Sequence, residues 1–546
     1  MFKKSFLSLL LTCSLFQLSA QKTLSLDDFY KYYTFRQKSV YGIVSAKDGK
    51  HYTTLDDNCI VKYSYKTGLP VDTLYNMYNV DEKYKDVYIQ GYTSNGDETK
   101  LLLITDVEPI YRRSYTANYY IYDIASNQIM PLSENGKQQL ATFSPNGDKV
   151  AFVRNNNMYI KDLLSGEELQ ITFDGEYNSI INGAPDWVYE EEFGFSKGFQ
   201  WSPDGQKIAY MRFDESDVKM FNMTMYQGDR PALTQNKLYP DNHTFKYPKA
   251  GEDNSVVSIK VYDLNTKETV DMNVGEETDQ YIPRIKWSKS PNTLSIIRVN
   301  RLQNVMELLF ADASTGESEV VYKDENKYYI SESNYDNIVF IDENNFLITS
   351  ERDGYMHIYS YNIENKELTQ ITDGDWDVMS FDGYDAENQT VYYTASDVTP
   401  TQTNLYSVKT NGKKLKKLNM QDGSNTAVYS EGHNYFINYF SNSTTPNYVT
   451  LCDRNGKVIR VLEDNKEYLE QVSEYKRTTR EFFTFTTPNG DVLNGYMLKP
   501  VDFDENKKYP VVMTQYSGPN SQSDIDEWSI DWYNYLSQEG FLVVCV

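Results

Sequence analysis

Two ten-residue stretches of this sequence are nearly superposable: Phe143-Ser144-Pro145-Asn146-Gly147-Asp148-Lys149-Val150-Ala151-Phe152 and Trp201-Ser202-Pro203-Asp204-Gly205-Gln206-Lys207-Ile208-Ala209-Tyr210. Each is an aromatic residue, an S-P-[ND]-G turn and a short apolar strand. Trp287-Ser288-Lys289-Ser290-Pro291-Asn292 opens a degenerate third copy, and comparable turns lie at Asp48-Gly49, Asn95-Gly96, Glu343-Asn344 and Glu387-Asn388. Asn-Gly and Asp-Gly favour hairpins because such turns need positive φ at their centre. From about Ser45 to Asn465 the alternation of strand, polar turn and strand continues, and four-strand repeats of roughly 40–50 residues are the mark of propeller blades. The turns predict about eight blades, with a longer insertion between Arg212 and Arg284. A β-sandwich, or a pair of them, is the rival architecture, but the near-identity of the turns favours a propeller. The 48 Tyr, 25 Phe and 6 Trp suit pleated, half-buried surfaces and reinforce the strand reading.

After about Tyr475 the pattern changes. Phe482 to Leu498 predicts a hairpin around Asn489-Gly490, and Tyr509 to Tyr516 an apolar strand ending at Ser517-Gly518-Pro519. Trp528, Trp532, Tyr535 and Leu536 share one face of a predicted helix, which Gly540 caps. Phe541 to Val546 is a fully apolar strand. Strand, helix and buried strand make a βαβ unit, the start of a doubly wound α/β sheet. The expected organisation is therefore residues 21–44 as an N-terminal segment packing on the α/β domain, 45–470 as a β-propeller, and 471–546 as the beginning of an α/β-hydrolase domain. The chain stops on an apolar strand, which reads as a truncated sequence.

Residues 1–20 have the layout of a secretory signal: Lys3 and Lys4, an apolar Phe6–Leu18 core, and Leu18-Ser19-Ala20 before a cleavage site. That core is too short to span a bilayer comfortably. The expectation is a soluble protein, periplasmic or at the cell surface, without stable membrane insertion. Losing the signal removes Cys13 and leaves Cys59, Cys452 and Cys545, which form no disulfide framework and no CxxC metal pair. A Cys59–Cys452 bridge stays open. The formal net charge of −25 disfavours nucleic acid and suits cationic partners such as peptide amino termini, though it serves solubility first.

The segment most suggestive of chemistry is Asp186-Trp187-Val188-Tyr189-Glu190-Glu191-Glu192-Phe193. On a helical turn, adjacent side chains lie about 100° apart, so two carboxylates can bracket a small cation while the third points away. A free amino terminus, with a pKa near ~8, stays largely protonated at neutral pH. It would be held by charge-assisted hydrogen bonds. A solvated acidic run is the plainer alternative.

This octapeptide resembles the double-glutamate motif of the dipeptidyl peptidase IV family, in a bacterial secreted form. The resemblance implies that Glu191 and Glu192 bind the substrate's amino terminus. Tyr111-Arg112-Arg113-Ser114-Tyr115-Thr116-Ala117 is similar to the family segment whose arginine, here Arg112, holds the substrate's carbonyl and the glutamates. Tyr516-Ser517-Gly518-Pro519 resembles the family's oxyanion loop, with Tyr516 as hydroxyl donor. The implied activity is that of a serine exopeptidase releasing N-terminal X-Pro, or less readily X-Ala, dipeptides, with no metal or organic cofactor. The family's homodimer, through the hydrolase domain and a propeller arm, comes with it as an option.

Triads of this hydrolase fold run Ser, Asp, His, with the Ser in a G-x-S-x-G elbow. No such elbow is read here, and His51, His243, His357 and His433 all precede the hydrolase segment. The chain alone is therefore expected to be inactive. Two rivals remain: a non-catalytic propeller binding module with a vestigial hydrolase segment, and a sister peptidase that removes tripeptides.

Overall fold

The structure, a computed structural model, describes residues 21–546 apart from 86, 227–238, 517, 519 and 520. The predicted signal at 1–20 lies outside the described residues. Eight successive antiparallel sheets among the described residues are the blades of a β-propeller. They span 44–76, 89–131, 139–170, 180–272, 280–325, 339–370, 378–417 and 424–463. Seven have four strands; the fourth has five, because Ile180–Asn182 and Phe199–Trp201 both pair with Lys207–Asp214. The insertion expected after Arg212 contains a separate hairpin, Met220–Met225 with Asp241–Lys246.

The turns seen in the sequence occupy equivalent places in their blades, and their chemistry explains the repetition. Ser144 and Gly147 close one with Gly147 N–H donating to Ser144 O at 2.9 Å, while the Ser144 hydroxyl accepts from Lys149 N–H at 3.1 Å. Ser202 repeats this, with Gly205 N–H on its carbonyl and Lys207 N–H on its hydroxyl, both at 2.9 Å. Gly147 and Gly205 sit at φ of 72° and 70°, a region that disfavours side chains. The aromatic before each turn links neighbouring blades. Trp201 Nε1–H donates to Thr142 O and Trp287 Nε1–H to Gln200 O, each at 3.2 Å. The first and last blades meet through packing: Tyr65 stacks on Tyr435 with centroids 5.6 Å apart, and Glu431 N–H donates to the Ser45 hydroxyl at 2.9 Å.

Two compact units emerge, Val40–Tyr439 with Thr450–Leu462, and a smaller one of residues 21–39, Phe440–Val449 and Glu463–Val546. In the smaller unit the sheet runs Glu481–Thr486, Val492–Leu498, Leu542–Cys545, Val511–Thr514, and only the last two are parallel. The helix between those parallel strands is Trp532–Gln538, shorter than the sequence suggests. Asp531 begins it: its carboxylate accepts from Tyr533 N–H at 2.7 Å, and Asn534 Oδ1 accepts from Asp531 N–H at 3.1 Å. Trp528 lies outside the helix, buried against Tyr468 and Val472, with its indole N–H on Tyr468 Oη at 3.0 Å. The 21–39 segment belongs to this unit, where Leu24 exchanges two hydrogen bonds with the Gln538 side chain. Cys59, Cys452 and Cys545 are all free thiols. No helix among the described residues is long and apolar enough to cross a membrane.

Candidate functional site

The 187–191 helix is inserted within the fourth blade and is started by Asp186, an extended residue whose carboxylate accepts from Tyr189 N–H at 2.9 Å. Asp186 is itself buried, burial raises its pKa, and the Ser255 hydroxyl donates to it at 2.5 Å. The aromatics of the motif are its anchors. Tyr189 is fully buried and its hydroxyl accepts from Ile282 N–H at 3.0 Å; Trp187 packs on Tyr247 with centroids 4.2 Å apart; Phe193 packs on Tyr281 at 5.2 Å.

With the helix fixed in this way, its three glutamates take different roles. Glu190 points inward, 1% exposed, and accepts the backbone N–H groups of Arg113 at 2.6 Å and Ser114 at 2.9 Å. Arg113 answers by donating to the Glu190 carbonyl at 2.7 Å. These bonds clamp residues 110–114, the tip of the hairpin between Lys100–Pro109 and Tyr115–Asp123, onto the helix. Arg112 is thereby brought over Glu191 in a two-pronged pair, Nε to Oε2 at 2.9 Å and Nη2 to Oε1 at 2.6 Å. Glu192 is exposed and lines an open cavity of about 790 Å³ with Trp187, Phe245 and Tyr247. The structure thus brings Arg112, Glu191 and Glu192 to one place. The work of Glu190 and Arg113 escapes sequence reasoning, because its partners lie 77 residues apart.

Tyr516 lies two residues past Val511–Thr514, at the C-terminal end of a strand parallel to Leu542–Cys545, and is 70% exposed. Ligands of open α/β sheets bind at that end of the strands. Ser517 and Pro519 of its loop are outside the described residues.

One sequence reading needs correction. The string G-x-S-x-G does occur, as Gly194-Phe195-Ser196-Lys197-Gly198. It connects the 187–191 helix to the strand Phe199–Trp201 inside a propeller blade, so it lacks the strand-to-helix turn that exposes a nucleophile. The histidines are engaged in the propeller. His51 Nδ1 meets Asp48 at 2.5 Å, and His243 stacks on Phe245. His357 is buried between Thr372 at 3.0 Å and Gly374 O at 2.9 Å, and His433, its pKa lowered by burial, stacks on Tyr392. Among the described residues no group of three or more His, Cys, Asp or Glu is arranged to hold a metal ion.

Comparison with known proteins places the chain in a family. Residues 95–447 match the family described as the dipeptidyl peptidase IV (DPP IV) N-terminal region. The chain is 28% identical over 521 residues to a protein of Arthroderma benhamiae named probable dipeptidyl peptidase 4, covering 92% of this chain and 65% of that one. It is 31% identical over 480 residues to the probable dipeptidyl-aminopeptidase B of Pyrenophora teres f. teres, covering 82% and 52%. The chain thus spans roughly half to two thirds of the length of these curated relatives. The crystal structure of Porphyromonas gingivalis dipeptidyl peptidase 4 superposes with a TM-score of 0.91 at 38% identity, over 97% of this chain and 74% of that one.

Proposed function

The chain belongs to the dipeptidyl peptidase IV family, and on that premise we propose that the protein is an exported serine exopeptidase that removes X-Pro, or less readily X-Ala, dipeptides from free amino termini. The observation that carries the proposal is the Arg112–Glu191 pair beside the exposed Glu192. Two carboxylates and one guanidinium leave a single net negative charge, which one ammonium neutralises. Glu192 and the unused lone pairs of Glu191 accept its N–H donors, and the family resemblance gives Arg112 the carbonyl of the first residue. The family resemblance puts the scissile bond after the second residue from that anchor. Tyr516 would donate to the oxyanion as the carbonyl turns tetrahedral. The second-residue preference for Pro and the homodimer rest on the family resemblance. The hairpin Met220–Met225 with Asp241–Lys246 is the segment available as a propeller arm. Export to the periplasm or cell surface rests on the signal-like residues 1–20.

The test compares a free X-Pro chromogenic substrate with its N-acetylated twin in the intact gene product. Glu191→Gln and Glu192→Gln are each expected to lower kcat/KM for the free amine by one to two orders of magnitude, about 1.5–3 kcal/mol for a charged hydrogen bond. The acetylated twin should be cleaved poorly by all forms alike. If both variants keep the wild-type preference for the free amine, the glutamates are a solvated run.

A further inference from the structure

Beside the clamped hairpin tip lies a cavity of about 500 Å³ that the peptidase reading does not use. Its size is typical of small-ligand sites. The cations in its wall are already paired: Lys137 lies 2.9 Å from Asp106 and 2.8 Å from Glu108, and Arg154 lies 2.7 Å from Glu168. Glu215, another wall residue, is different. It is 6% exposed, and no hydrogen-bond donor among the described residues reaches its carboxylate. Ser114, also in the wall, is buried with a hydroxyl that has no partner. A polar group withdrawn from water without a partner is destabilising, the more so when charged. Two such groups in one cavity therefore mark a place where a ligand would restore what folding removed.

The wall chemistry defines that ligand. Tyr111 and Tyr177 contribute aromatic rings to the lining, and Ile110, Ile181 and Pro185 apolar side chains. A cation on an aliphatic arm satisfies all three kinds of contact, through a charge-assisted hydrogen bond, ring faces and buried methylenes. We propose that this cavity is a second binding site, taking a protonated amine or guanidinium on a flexible aliphatic arm with Glu215 as its counter-ion. The charges around Glu215 agree. Burial is the main influence on its carboxyl; Asp186 and Asp214 add to it, and Lys246, whose ammonium donates to Ser216 O and Val218 O at 2.8 Å each, opposes it. The neighbouring Tyr111 hydroxyl is held protonated by burial. The result raises Glu215 to about 7, and a bound cation would draw the proton off.

The experiment titrates the intact gene product by calorimetry with two probes: agmatine, and N-acetyl-lysine methylamide, which has no α-ammonium. Binding of either at pH 8 that Glu215→Gln weakens at least tenfold, and that Glu192→Gln leaves within twofold, supports the site. Agmatine alone would identify a free-amine ligand, and the lysine derivative a peptide side chain. In the unsubstituted chain, affinity should fall about thirtyfold from pH 8 to pH 5.5, as a carboxyl of pKa about 7 takes up its proton. This pH series needs no variant and stands if Glu215→Gln misfolds. Failure of both probes to bind, loss tracking Glu192→Gln, or affinity independent of pH would overturn the proposal.

Discussion

Glu215 holds its carboxyl in a buried place without a donor, and that should be visible in stability. Its folded pKa is about 7 against an ordinary 4.5. The folded state therefore binds the proton more tightly than the unfolded chain. The favourable contribution is fully present below pH 4.5 and lost as pH rises through 7, on the order of 3 kcal/mol. Glu215→Gln is expected to raise the melting temperature at pH 8 and leave it nearly unchanged at pH 4.5. An equal shift at both would remove the basis for the raised pKa. Glu190 works in the opposite sense: Glu190→Ala would leave two N–H groups without their acceptor, at about 1–3 kcal/mol each. Tyr516 stands apart, since its 70% exposed ring has little packing to lose. Tyr516→Phe in the intact gene product should lower kcat about a hundred- to a thousandfold with an unchanged melt; a change under about threefold would leave the oxyanion to backbone donors. At this scale the sequence singled out Arg112, Glu191 and Glu192, which the fold brings together, because they stand in contiguous, unusual strings. It concealed Glu190 and Glu215 because what distinguishes them is burial and the partners present or missing in space.

Among the elements, the repeated turns were the most legible, because one local hydrogen-bond scheme recurs with the same residue types. Their glycines are correspondingly constrained. A Cβ at Gly147 would come 2.6 Å from Asn95 Nδ2, at a φ of 72°. Gly147→Ala is expected to cost about 1–2 kcal/mol, read as a shifted denaturation midpoint; a neutral effect would mean that the turn relaxes easily. Trp287→Phe, which removes the donor to Gln200 O, should cost a comparable amount through the blade contact it loosens. The α/β helix was less legible. Face periodicity carried it back to Trp528, whereas the Asp531 cap with Asn534 fixes its start and lets Trp528 pack elsewhere. Periodicity reports which residues are buried, and a buried residue just outside a helix satisfies it equally well.

At the scale of the whole molecule, the proposed recognition and the proposed chemistry fall in different stretches. Arg112, Glu191 and Glu192 lie in the larger unit, and Tyr516 lies in the smaller. Acyl transfer also needs an activated nucleophile and a base. From Glu463 onward the smaller unit has no histidine, and the four histidines of the chain are held by propeller contacts. Ser196, though set in a G-x-S-x-G string, follows a short helix within a blade rather than a strand of the α/β sheet. A polypeptide of residues 21–546 is therefore expected to bind a free-amine X-Pro peptide more tightly than its acetylated twin, yet not to cleave it. Removal of a catalytic triad lowers the rate on the order of a millionfold. Calorimetry reads the first quantity, and chromatography of the peptide after prolonged incubation the second. Binding without turnover fits a chain that reads amino termini with groups separate from those that break the bond. Turnover abolished by Ser196→Ala would instead put the nucleophile in the propeller and overturn the division of labour argued from the two units.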